Sequence, residues 1–310
     1  MTSRYDRLIA AGARLPPTSV AVAHPCDATS IESAMEAMRA GIIRPILVGP
    51  RAKIAAAAQA AGVTLDGIEQ VDAPHSDAAA EIAVGLVREG RAEALMKGSL
   101  HTDELMRPVV AREGLRTKRR VSHCFVMDVP GHADPLIISD AAVNIAPTLA
   151  EKVDITQNAI DLAQALGFQE VRVAILSAME TVNPAVPSTI EAAALCKMAD
   201  RGQITGGLLD GPLALDNAID MAAAAIKKIV SPVAGRANVL IVPDLEAGNM
   251  LAKSLTFLAG AQAAGIVVGA RVPIILTSRA DSRVTRIASC AIAALVAAAR
   301  RSVPVRALGD

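Results

Sequence analysis

The sequence predicts an α/β protein with parallel or mixed sheets carrying helices on both faces. Three observations carry that prediction. Short β-branched runs alternate with Ala-rich stretches of helical spacing along most of the chain. Hydrophobic residues make up 52% of the 310 residues and aromatics only 1%, so Ala, Val, Ile, Leu and Met must build the core. Polar clusters rich in Gly, Ser and Asp follow several strand-like runs, and open α/β sheets bind ligands beyond the carboxyl ends of their strands.

The elements follow in order. Ser19–His24 (SVAVAH) reads as a strand, and Ser30–Ala40 as a helix with Ile31, Ala34, Met35 and Met38 at helical spacing. Pro45–Gly49 is a strand, and Pro50 opens a helix ending at Gly62. Asp77–Arg88 is helical, Ala92–Met96 a strand and Asp103–Ala111 a helix. The densest basic run, Arg112–Arg120 (REGLRTKRR), precedes a new strand at Val121–Met127 and marks a domain boundary. Asp154–Leu166 is a helix stopped by Gly167, and Val171–Leu176 is a strand. Ser188–Ala199 is a helix with Ser188 as N-cap and Glu191 completing a capping box. Leu208–Leu209, Val239–Val242 and Ile274–Thr277 are strand ends, and Gly248–Leu258 and Arg283–Arg300 are helices. Alanine is the best helix former and small enough for close packing on a sheet, which explains the scarcity of aromatics.

Composition narrows the function. Lys+Arg and Asp+Glu both number 31, so no global field favours nucleic acid or an anionic membrane. Four aromatic residues leave almost no platform for base stacking. Cys26, Cys124, Cys196 and Cys290 form no C-x-x-C pair and read as buried, reduced thiols of a cytosolic protein. The N-terminus carries no long apolar region with a cleavage site. The apolar stretch Ala288–Ala299 is shorter than the roughly 20 residues of a membrane span. A soluble, cytoplasmic protein is expected. His24, His75, His123 and His132 lack metal-ligand spacing and read as structural or surface residues. No G-x-G-x-x-G, P-loop or G-x-S-x-G is present.

Four strand-end clusters are the candidate chemistry. In Lys97-Gly98-Ser99-Leu100-His101-Thr102, Gly98 admits close approach of the backbone, and Lys97, Ser99 and Thr102 can hold an anion at a helix N-terminus. An ordinary capped turn has the same composition. In Thr277-Ser278-Arg279-Ala280-Asp281-Ser282, the backbone can cup an anion and Arg279 can fork onto phosphate, while Asp281 equally suits a helix cap. Val242–Asn249 offers Asp244, Gly248 and Asn249; Leu209–Leu213 offers Asp210 and Gly211 at what reads as a turn. The Arg116–Arg120 run reads as a phosphate neutraliser or a solvated interdomain turn. Together these point to a phosphorylated small molecule and name no reaction.

At these residues the chain resembles the phosphate acetyltransferase/phosphate butyryltransferase family, through LMKGSLHTDELMRP (95–108), DGPLALDNAI (210–219), SPVAGRANVLIVPDLEAGN (231–249) and TSRADS (277–282). Ser122–Asp140 with Lys197–Gly207 looks most like the transferase part fused behind a hydratase-like domain in some bacterial proteins, with no hydratase segment expected here. The resemblance implies acyl-CoA + phosphate ⇌ acyl phosphate + CoA on a short acyl chain, acetyl favoured over propionyl or butyryl. It implies two lobes of isocitrate/isopropylmalate dehydrogenase type, residues 1–120 with 266–310 and an inserted 121–265, with the active site in the cleft between them. It further implies a homodimer, and no metal or cofactor, CoA being a substrate.

By the family pattern Ser278 and Arg279 stabilise the transition state. Lys97, Gly98, Ser99, His101, Thr102, Arg107, Asp210, Gly211, Asp244 and Asn249 bind substrate, Arg107 matching an arginine that holds the substrate phosphate. One departure matters. Acetyltransferase members carry a general-base Asp where this chain has Thr285, so the expected proton acceptor is Asp281, or a water helped by Arg279. The same departure keeps a second reading open, a non-catalytic acyl-CoA-binding regulatory domain.

Overall fold

The computed structural model describes residues 4–132, 134–277 and 281–302. Along the chain these form α1 (Arg4–Ala13), β1 (Thr18–Ala23), α2 (Ala28–Arg39), β2 (Ile43–Gly49), α3 (Arg51–Ala60), β3 (Glu69–Asp72), α4 (Ser76–Arg88), β4 (Ala94–Lys97) and α5 (Thr102–Val110). There follow β5 (Ser122–Asp128), β6 (Leu136–Ser139), α6 (Leu149–Ala165), β7 (Arg172–Leu176), α7 (Pro187–Asp200), β8 (Leu208–Leu213), α8 (Leu215–Ile219) and α9 (Met221–Ile226). The chain continues through β9 (Val239–Ile241), α10 (Leu245–Leu258), β10 (Gln262–Val268), β11 (Ile274–Ile275) and α11 (Arg283–Ser302). It divides into two compact units, residues 1–119 with 264–310, and residues 120–263.

In the first unit the strands run in the order β3-β2-β1-β4-β11-β10. All neighbours are parallel except β10 with β11. Every residue of β1 is buried, as expected of a parallel strand covered on both faces. The buried face of α11 includes Ala288, Ala291, Ala293 and Ala294, small residues that seat a helix closely against its neighbours. Tyr5, the only tyrosine, is fully buried in α1, and its hydroxyl accepts the Ala264 N–H at 2.6 Å. That bond joins the two chain segments of this unit.

In the second unit the order is β5-β6-β9-β7-β8, antiparallel between β5 and β6 and parallel elsewhere. Its core gathers Met127, Leu136, Ile138, Ala174, Leu213 and Leu240. Thr148 caps α6, and the Glu151 side chain returns to the Thr148 N–H at 2.8 Å, a reciprocal capping box.

Several local expectations change. β3 (EQVD) and β6 lie outside the sequence reading; β3 has a single apolar residue, Val71, and offers no apolar alternation to read. Helix α7 begins with Pro187 and has no side-chain cap. The Ser188 hydroxyl pairs instead with that of Ser177 at 2.8 Å, and Glu191 pairs with the buried Lys152. β8 continues to Leu213, which places Asp210 and Gly211 inside a strand rather than at a turn. Among the described residues no helix is long and apolar enough to cross a membrane.

Candidate functional site

In the first unit, register places Ala23 opposite Lys97 and Met96 opposite Ile275. The residues that follow β1, β4 and β11 therefore leave one carboxyl edge of the sheet, on adjacent strands. One of the four sequence clusters, Lys97–Thr102, and Thr277, the first residue of another, share that edge. Ser278 and Arg279 lie outside the described residues.

The turn after β4 is tightly held. Gly98 and Ser99 donate their N–H groups to the carbonyls of Ala23 and His24, both at 2.9 Å. A β-carbon at Gly98 would lie 2.4 Å from the Ala23 oxygen and 2.5 Å from that of His24, so only glycine fits. Lys97 Nζ donates to the carbonyls of Gly98 and Leu100, each at 3.2 Å. The Ser99 hydroxyl donates to the His24 carbonyl at 2.8 Å, accepts the Cys26 N–H at 3.3 Å and lies 3.1 Å from His24 Nδ1. These contacts tie the Ser99 side chain to the residues after β1, so it shapes the turn. Burial, and next the Lys53 ammonium, hold the His24 imidazole below its ordinary pKa against the pull of Glu104 and Asp27.

Helix α5 opens beyond this turn, with Thr102 its first residue. The His101 N–H donates to Glu104 Oε2 at 2.6 Å, and the Ser76 hydroxyl donates to Oε1 at 2.6 Å. Those bonds, Ser76 first, hold the Glu104 carboxyl below the usual range. Arg107 is exposed and pairs with Asp77 at 3.3 Å. On the neighbouring β11 side, Ser282 takes the capping role that Asp281 could have filled. Its hydroxyl oxygen accepts the Thr285 N–H at 3.2 Å and donates to the Thr285 hydroxyl at 3.0 Å. Thr285 itself is buried. Asp281 sits just before the helix, its carbonyl accepting from Arg286 Nη1 at 2.8 Å.

In the second unit, Asp244 is the N-cap of α10, accepting the Ala247 N–H at 2.8 Å. Asn249 Nδ2 donates to the Ala141 carbonyl at 3.2 Å. Gly248 faces the Asp140 carbonyl so closely that a β-carbon would lie 2.6 Å from it. Asp140, which the sequence reading did not single out, organises the loop after β6 next to Gly248. Its carboxylate accepts the N–H groups of Ala142 (2.9 Å), Val143 (3.0 Å), Asn144 (3.2 Å) and His123 (3.2 Å), and Asn144 Nδ2 at 2.6 Å. The available signal was a Ser-Asp pair directly after the apolar run LII, the same strand-end pattern as the other clusters. Asp210 and Gly211 lie apart on β8, where Asp210 Oδ1 accepts the Gly211 N–H at 2.8 Å. The structure therefore brings Gly248 and Asn249 against the main chain at Asp140 and Ala141, and places Lys97–Thr102 and Thr277 on one sheet edge.

No described group of three or more His, Cys, Asp or Glu could hold a metal ion. Burial pushes the thiols of Cys124, Cys196 and Cys290 up to about 12 and that of Cys26 to about 11, so none is a ready nucleophile at neutral pH. What the edges present is backbone, hydroxyl, carboxylate and cation.

Residues 75–294 match the family described as phosphate acetyl/butaryl transferase. The chain is 66% identical over 307 residues to a phosphate acetyltransferase of Rhizobium meliloti, covering 99% of this chain and 97% of that one. It is 42% identical over 279 residues to a phosphate butyryltransferase of Clostridium acetobutylicum, covering 90% and 93%. A branched-chain phosphotransacylase from Enterococcus faecalis V583 has the same fold, with a TM-score of 0.79 at 30% identity over 90% of this chain and 99% of that one. A family match over more than half of the chain, with relatives aligned nearly end to end, places this chain in the phosphate acetyltransferase/phosphate butyryltransferase family.

Proposed function

We propose that this chain interconverts a short-chain acyl-CoA and phosphate with an acyl phosphate and CoA, acetyl being the preferred acyl group. The observation that carries this reading is the 66% identity to an acetyltransferase over 99% of the chain, against 42% to a butyryltransferase. The working form is a cytoplasmic homodimer whose only ligands are the substrates.

In the proposed reaction both substrates are held together and no acyl-enzyme forms. The CoA thiol, with a pKa near ~8.5, gives its proton to the Asp281 carboxylate. The thiolate attacks the acyl carbonyl carbon, the C–S bond forms, the C–O bond to phosphate breaks, and the departing phosphate takes up a proton. Ser278 and Arg279 stabilise the oxyanion and the phosphoryl oxygens; loss of one such donor costs roughly 10²–10³ in rate. Holding the substrates in register supplies much of the remainder. The main chain of the Lys97–Thr102 turn and Arg107 receive phosphate, with the Asp77 pair exchanged for substrate. Asp210, Gly211, Asp244 and Asn249 are proposed to shape the rest of the substrate site.

The test is release of CoA thiol from acetyl-, propionyl- and butyryl-CoA in the presence of phosphate. Acetyl-CoA should react fastest. Failure to release thiol from any of them overturns the enzyme reading in favour of an acyl-CoA-binding regulatory domain. Asp281→Asn should lower kcat and change its pH dependence; an unchanged neutral rate removes Asp281 as the base.

A further inference from the structure

His24 carries two properties that the reaction above does not use. It is one of two described non-glycine residues in the left-handed region, with φ +53° at the carboxyl end of β1. Such a conformation is disfavoured for a residue with a β-carbon and persists only where its surroundings demand it. Glycine would sit there without strain, so the imidazole is retained against a backbone cost. The geometry says what is gained. The twisted backbone aims the His24 carbonyl where it accepts three bonds, from the Cys26 N–H (2.9 Å), the Ser99 N–H (2.9 Å) and the Ser99 hydroxyl (2.8 Å).

The fourth contact fixes the ring. Ser99 has a single hydroxyl proton, already given to the His24 carbonyl, so the atom 3.1 Å away at Nδ1 must bring its own. With the proton on Nε2, two lone pairs would face each other across that gap. Neutral His24 therefore carries its proton on Nδ1. Protonation of the ring leaves that N–H in place, so the contact survives a change of charge.

We infer that His24 is a positioning residue for acyl transfer: its Nδ1–H and its own carbonyl clamp Ser99 and so hold the Lys97–Thr102 turn in the form that receives the phosphate group. The inference rests on the acyl-transfer reading proposed above. Gly98 is pressed against the carbonyls of Ala23 and His24 with no room for a β-carbon, so a shift of His24 displaces the turn as a whole. The charged groups facing His24 are Lys53 from α3, Asp27 ahead of α2 and Glu104 from α5. They tune its charge, and the clamp does not depend on that charge.

The experiment uses the full chain and measures thiol release from acetyl-CoA at varied phosphate, through the neutral pH range. Asparagine tolerates the left-handed region and its amide N–H stands where Nδ1–H stands. His24→Asn should keep most of kcat/KM for phosphate and the wild-type pH profile. His24→Gly keeps the backbone and carbonyl but removes the donor. It should raise the KM for phosphate about tenfold with a smaller change in kcat, the scale of one lost hydrogen bond. Ser99→Ala opens the clamp from the other side and should match it, and the double variant should be no worse than either single one. A wild-type chain that releases no thiol ends the acyl-transfer reading itself. An active wild type with His24→Gly and Ser99→Ala both unchanged overturns the clamp. So does a His24→Asn variant as slow as His24→Gly with its acidic pH limb gone, an outcome that would assign proton transfer to Nε2.

Discussion

His123 lies wholly buried on β5, its ring edge-on to Phe125 at 4.5 Å. Burial pushes its pKa from 6.5 down to about 4, with the nearby Asp140 carboxylate opposing. The folded pKa is the lower one, so the unfolded chain takes up the proton first as pH falls. Stability is whole above pH 6.5 and is lost as pH drops from there toward 4. Urea midpoints through this window should fall with pH in the wild type and fall less steeply in His123→Gln. Equal slopes would count against the buried, neutral imidazole. The thiols offer a second residue-level check. Cys124 and Cys290, buried and shifted to about 12, should stay silent to an aromatic disulfide reagent at neutral pH until denaturant is added. At this scale the sequence was legible in residue type and place. Gly, Ser, Lys and Asp at strand ends marked the clusters, but the engagement of the Ser99 hydroxyl depends on His24 and Cys26 beyond another strand, and the Asp140 carboxylate, bound mostly by the next four residues, also takes the His123 N–H from β5. Ser99 and His24 are 75 positions apart, and no local pattern encodes their meeting.

Among the elements, periodicity and stop signals were good guides and caps were uneven ones. Pro50 opens α3 and Gly62 follows its end, as expected of those residue types. Ser188 was the natural choice of cap for α7, yet Pro187 pre-sets the helix one residue earlier and leaves the Ser188 hydroxyl to Ser177. Short-range chemistry is degenerate there, and tertiary contact decides. The strand β8 shows the same degeneracy: Asp-Gly-Pro reads as a turn, but Asp210 and Leu213 both pair with β7, and the register shifts across Gly211–Pro212 between them. Two measurements test these assignments. Thr148→Ala should destabilise the protein by about 1 kcal/mol through loss of the α6 cap. Glu191→Gln leaves the buried Lys152 of α6 without its charged partner on α7 and should cost about 3 kcal/mol, read as a lowered urea midpoint. A loss below about 1 kcal/mol would mean that water replaces the carboxylate.

For the whole molecule, the alternation of strand and helix announced the α/β class. Strand order was not readable, because it is set by which strands pair rather than by any local signal. In the first unit, β11 inserts between β4 and β10 although more than 150 residues separate it from β4 in sequence. A chain ended after residue 263 would lack all but two residues of β10 and the whole of β11 and α11, and would leave Tyr5 without the Ala264 N–H. It should show reduced helix content and aggregate on gel filtration; a monodisperse product of native-like dichroism would refute the dependence.

That discontinuity has a consequence during synthesis. The ribosome makes residues 1–119 first, but the strands that complete their sheet come only after residues 120–263. At about 5–20 residues per second, the intervening stretch takes roughly 7–30 s to translate. For that time the nascent first unit waits with the edge of β4 unpaired, and at its end the second unit has all of its residues while the first still lacks 264–310. The later-made unit is thus free to fold first, and the earlier-made one is the natural client of a chaperone.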